Sequence, residues 1–134
     1  MKRLIVKKQF VDIEGMARIG WIPYNTMNTI EVYVHTNDEG KIPHFHIRKY
    51  GRNNKFEWEN CIRYDSADYF LHGRYSDTIP NKIAKELDKM LRMSNPKRGG
   101  ISFWQTAVDD WNSNNSDIEL PRDIEQPDYT TLNK

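Results

Sequence analysis

The chain carries a single cysteine, Cys61, in 134 residues, so no disulfide can close within it. It lacks any apolar run near the roughly 18 residues that a membrane helix needs. Its start, MKRLIVKKQF, has no apolar stretch of the kind a secretory signal carries, and a cytoplasmic location without membrane attachment is expected. There is no glycine-rich phosphate loop, no Ser-His-Asp order and no paired-cysteine metal signature. Asp109 and Asp110 are neighbours on a predicted helix and point different ways, which excludes a paired-carboxylate site there. A surplus of one charge is missing too, since 20 basic and 19 acidic side chains leave a net +1.

That balance hides a split. Residues 1–111 hold 18 basic and 14 acidic side chains, whereas 112–134 hold Asp117, Glu119, Asp123, Glu125 and Asp128 against Arg122 and Lys134. A basic body of this size permits contact with a phosphate backbone without requiring it. With 37% hydrophobic and 29% charged residues, the chain is polar for a globular protein but not of disordered composition. One α+β domain over 1–111 is expected, followed by an acidic, flexible tail over 112–134.

In TIEVYVH, Ile30, Val32 and Val34 alternate with Glu31, Tyr33 and His35; in PHFHIRK, Phe45 and Ile47 alternate with His44, His46 and Arg48. NDEG between them is turn chemistry, which predicts an antiparallel hairpin. Placing the five apolar residues on one face requires odd residues to sit opposite even ones. Glu31, Tyr33, His35, His44, His46 and Arg48 then share the other face as a binding surface. Upstream, residues 2–22 read as one or two short strands with a turn at Glu14-Gly15, and Pro23 to Asn28 breaks the pattern. Downstream, Lys55 to Tyr64 reads as a strand with Phe56, Trp58, Asn60 and Ile62 on one side and Glu57, Glu59 and Cys61 on the other. Cys61 in that setting reads as a small buried hydrophobe with no catalytic role. A further strand is expected over 68–72.

From Pro80 the period changes. Ile83, Leu87, Met90 and Leu91 form a helical stripe, with Lys82, Lys85, Glu86, Asp88 and Lys89 toward water and Asn95-Pro96 as the stop. After PKRGG, Ser102 can cap a second helix carrying Phe103, Ala107, Val108 and Trp111 inward. The fold class predicted is α+β, an antiparallel sheet covered on one face by two C-terminal helices. The tail contains an echo, DIELP at 117–121 and DIEQP at 123–127, whose prolines and acidity predict a solvated, extended segment.

The stretch IEVYV, Asn37-Asp38, PHFHI and Tyr50-Gly51, followed by Gly73, Ile79-Pro80 and Trp111, resembles a family of small bacterial proteins of unknown function over about residues 30–111. Many members of that family lie in gene pairs that look like toxin–antitoxin modules, so the resemblance implies a binding or regulatory, antitoxin-like role with a protein partner. The family has a histidine directly after Asn-Asp, where this chain has Glu39, and this chain's turn is one residue shorter. The N-terminal segment and the tail are additions to the family pattern.

His44 and His46 are two apart on a strand, about 6.6 Å between Cα atoms, so both rings can converge on a divalent metal such as Zn²⁺ or Mn²⁺, with His35 or Glu31 as a further ligand. The plainer alternative is a set of cross-strand polar neighbours that fix register. His-hydrophobic-His is also the metal motif of single-strand endonucleases, which present a tyrosine nucleophile from a helix; neither predicted helix here contains one. A metal-dependent hydrolase or nuclease is therefore the rival to the binding module. Nucleic-acid contact would draw on Arg48, Lys49, Arg52, Lys55 and Arg63, with Trp58 nearby for stacking.

Overall fold

The alternation from Thr29 to His35 makes a strand with one face that must leave water. In the computed structural model, which describes residues 4–6, 9–11, 16–24, 27–35, 42–51, 55–70 and 78–134, that strand is an inner one. A short antiparallel hairpin of β1 (Leu4–Val6) and β2 (Gln9–Val11) comes first. The main sheet follows, with β3 (Met16–Tyr24), β4 (Met27–His35), β5 (His44–Tyr50) and β6 (Phe56–Arg63) antiparallel in the order β3-β4-β5-β6. Two helices C-terminal to the sheet, α1 (Asn81–Leu91) and α2 (Phe103–Asn114), complete an α+β fold.

Register obeys the parity set by the apolar pattern. Glu31 pairs with Arg48, Val32 with Ile47 and Tyr33 with His46, odd against even. Ile30, Val32, Val34, Phe45 and Ile47 are all fully buried on the helix side, where Leu87, Leu91, Val108 and Trp111 meet them. Gly20 lets α2 come close, since a Cβ there would lie 3.1 Å from the Phe103 ring. Ser102 caps α2 as expected, its Oγ accepting the Gln105 N–H at 3.0 Å.

Several local expectations are corrected. The break at Pro23 to Asn28 is the end of a hairpin: β3 runs to Tyr24, which pairs with Met27 of β4. A register shift between Lys49 and Tyr50 sets Phe56 opposite Tyr50, so Phe56 leaves the Trp58 and Ile62 side and packs its ring against Tyr50 and Arg48. Of the strand expected over 68–72, Tyr69 forms a single bridge to Ile62, while 71 and 72, like the turns at Glu14-Gly15 and NDEG, lie outside the described residues. Asp88 does not simply face water; its carboxylate accepts the Tyr129 N–H at 3.0 Å and the Gln126 amide at 3.1 Å.

The tail is docked rather than solvated. Leu120, Tyr129 and Leu132 join the core, and the Tyr129 hydroxyl donates to the Arg63 carbonyl at 2.6 Å. The sequence echo has a structural counterpart. In each copy the isoleucine carbonyl accepts a tryptophan indole N–H from α2, Trp111 to Ile118 at 2.7 Å and Trp104 to Ile124 at 2.9 Å. Asn112 fixes the strap between them, accepting the Leu120 N–H at 2.6 Å and donating to its carbonyl at 3.0 Å. Asp117, Glu119, Asp123, Glu125 and Asp128 remain exposed, so the acidity sits on the outside of a bound segment.

Candidate functional site

The sheet face opposite the Val32 and Ile47 side chains carries Glu31, Tyr33 and His35 from β4, His44, His46 and Arg48 from β5, and Glu59 and Cys61 from β6, with His44 at its end reaching Trp111 of α2. The register brings together the six residues expected on one face, but not as an open surface. Glu31, Tyr33, His44 and His46 are at most 1% exposed. The face divides into two parts, with Tyr33 between them: the Arg48 guanidinium lies 4.4 Å from its ring centre and the His46 ring stacks on it at 5.0 Å.

On one side of Tyr33 is a nest of imidazoles and a thiol. His46 lies directly across the ladder from Cys61, whose Sγ is 3.3 Å from His46 Nδ1. The ring centres of His44 and His46 are 5.0 Å apart, and His35 meets His46 edge-on at 4.4 Å. Phe70 and Trp111 wall in His44 at 4.6 and 5.6 Å. His44 Nδ1 sits 2.8 Å from the Ile42 carbonyl; a carbonyl can only accept, so Nδ1 carries a proton and Nε2 is the ring nitrogen left to act as a ligand. The donor atoms of His44, His46 and Cys61 all lie within 4.8 Å of one another, and the three could hold a metal ion.

On the other side is a charged network. The Glu31 carboxylate accepts from Arg18 at 2.5 Å, from Arg48 at 2.8 Å and from the Tyr50 hydroxyl at 3.0 Å. Burial works against the charge on Arg48, but Tyr33 and Glu31 outweigh it and hold the guanidinium above its ordinary pKa. Burial, with Glu31 beside it, raises the Tyr50 hydroxyl. The Tyr33 hydroxyl bonds to Glu59. Toward solvent the network ends in rings, Trp21 and Tyr50 5.9 Å apart and Tyr50 and Phe56 4.9 Å apart, with Arg18 over Trp21.

Glu31 therefore stands with the arginines and not with the histidines, and it leaves the candidate ligand set. Cys61 enters it. Its odd position against Trp58, Asn60 and Ile62 was a sequence signal for the histidine face; its place opposite His46 depends on a register that no local pattern fixes. The proposed nucleic-acid cations are dispersed. Lys49 and Trp58 lie on the helix side around a cavity lined also by Pro80 and Ile83, Lys49 pairs with Glu57 at 2.7 Å, Arg63 pairs with Asp65 at 2.7 Å, and Arg52 lies outside the described residues. Neither helix carries a tyrosine, and Tyr64 is fully buried with its hydroxyl on the Ala107 carbonyl at 2.7 Å. Among the described residues, no helix is long and apolar enough to cross a membrane.

Compared with protein-family models, with curated proteins and with solved structures, the chain matches none of them.

Proposed function

We propose that this chain is a cytoplasmic, non-enzymatic binding or regulatory protein of the antitoxin-like kind that its PHFH hairpin resembles. It takes a protein partner on the rim of the histidine-bearing face. The observation that carries this reading is the ring cluster of Trp21, Tyr50 and Phe56 interleaved with Arg18 and Arg48, in which Phe56 is 43% exposed. Tryptophan, tyrosine and arginine dominate the energetics of protein interfaces because they combine large apolar area with a directional polar end. A nucleic-acid partner is disfavoured, since Arg48, Lys49 and Arg63 are each matched by a carboxylate.

The hydrolase or nuclease reading, with Zn²⁺ or Mn²⁺ on the histidines, meets a different obstacle. A catalytic metal keeps a coordination position open to substrate, whereas His44, His46 and Cys61 are at most 1% exposed. The test is capture of partners by the tagged full chain, beside a Trp21→Ala/Phe56→Ala variant. A stoichiometric protein held by the wild type and released by the variant is the expected result. Metal-dependent hydrolysis that disappears in His44→Ala, with no protein captured, would replace this reading by the enzymatic one.

A further inference from the structure

We infer that His44, His46 and Cys61 form a buried zinc site that ties β5 to β6, with Cys61 as thiolate ligand. The site stands apart from the partner surface: it can hold metal whether or not the rim of Trp21 and Phe56 binds anything.

Three observations converge. The donor atoms cluster within 4.8 Å, and the Cys61 Sγ lies 3.3 Å from Nδ1 and 3.9 Å from Nε2 of His46. Tetrahedral zinc, with bonds of about 2.0–2.1 Å to nitrogen and about 2.3 Å to sulfur, sets ligand separations of roughly 3.5 Å. The Cys61–His46 spacing already lies close to that value, and His44 completes the set within 4.8 Å. Second, the Nδ1–H of His44 is held by the Ile42 carbonyl at 2.8 Å, the outer hydrogen bond that orients metal-binding imidazoles and leaves Nε2 basic. Third, the site is dry: all three side chains are at most 1% exposed, and Phe70 and Trp111 flank His44. His35, edge-on to His46 at 4.4 Å, is the nearest further imidazole.

The donor set selects the ion. One thiolate and neutral imidazoles suit borderline-soft Zn²⁺, whereas Mn²⁺ takes carboxylate, carbonyl and water oxygens. On binding, a Zn–S bond replaces the S–H bond of Cys61 and the proton passes to solvent. Because the ligands come from adjacent strands, the ion acts as a cross-link between β5 and β6. It is structural or sensory in kind rather than catalytic.

The full chain, stripped of metal by a chelator and still folded by circular dichroism, is titrated with Zn²⁺, Co²⁺ and Mn²⁺. One equivalent of Zn²⁺ or Co²⁺ is expected to bind, the cobalt form showing a thiolate-to-metal charge-transfer band, and Zn²⁺ is expected to raise the melting temperature. Cys61→Ser should abolish the band and weaken zinc binding about 100-fold or more. Absence of stoichiometric zinc, a cobalt complex without the sulfur band, or preference for Mn²⁺ would each overturn the site. If Cys61→Ser does not fold, the wild-type band and melting shift decide.

Discussion

Two halves of one sheet face, separated by Tyr33, hold their polar groups in opposite ways. At Glu31 the groups are formally charged and mutually matched, one carboxylate taking two guanidiniums and a hydroxyl. At His46 they are imidazoles packed ring against ring, with a thiol at 3.3 Å. Both are buried, and burial is what makes the difference matter. A buried ion needs its partners, whereas imidazoles and a thiol are the soft donors that suit a borderline-soft cation. The same two-residue alternation built both halves; side-chain chemistry alone made one a salt-bridge network and the other a cluster of imidazoles and a thiol that could hold a metal ion.

The comparison breaks most visibly at Arg48. Arg48→Ala leaves the Glu31 carboxylate, 0% exposed, with the Tyr50 hydroxyl and a single arginine whose side chain is 51% exposed. A loss of about 3–5 kcal/mol is expected, read as a lowered urea midpoint; a change below about 1 kcal/mol would show that the network is not holding the sheet.

A second buried carboxylate sharpens it. On the helix side Asp110 faces a single guanidinium, that of Arg98 at 2.8 Å, and burial outweighs that partner, pushing the carboxyl up to about 6 from 3.8. Because the folded value lies above the unfolded one, the stability this group contributes is complete below about pH 4 and is lost as pH rises through about 6. The difference in unfolding free energy between wild type and Asp110→Asn should shift against the wild type by about 2–3 kcal/mol from pH 4 to pH 7. A pH-independent difference would contradict the burial argument.

Effects at the imidazole half should be smaller. In metal-free protein, Cys61→Ser strands no charge and is expected to alter stability by about 1 kcal/mol, against the larger loss at Arg48. Arg18→Ala removes only the exposed partner of Glu31. About 0.5 kcal/mol, diminishing in high salt, is the expected change in thermal unfolding.

The sheet face was legible because it needs only parity. Ile30, Val32, Val34, Phe45 and Ile47 cannot all be buried unless odd residues oppose even ones, and that alone sends His44, His46 and Tyr33 to one side. The two helices were legible from the 3.6-residue stripe and from Ser102. What escaped depended on pairing between distant segments. The shift between Lys49 and Tyr50 moved Phe56 across the sheet, and Cys61 met His46 only through a ladder whose register includes that bulge. The tail shows no periodicity because its few buried side chains, Leu120, Tyr129 and Leu132, are irregularly spaced and its other anchors are backbone carbonyls of Ile118 and Ile124, held by indoles of Trp111 and Trp104. No hydrophobic pattern in the segment itself records such partners.

X-ray absorption at the zinc edge of the full chain, loaded with one equivalent of Zn²⁺, puts the cage to the most direct test. One sulfur at about 2.3 Å and at least two nitrogens at about 2.0–2.1 Å are the expected shell. A shell of oxygen and nitrogen with no sulfur, or protein that retains no zinc, would contradict it.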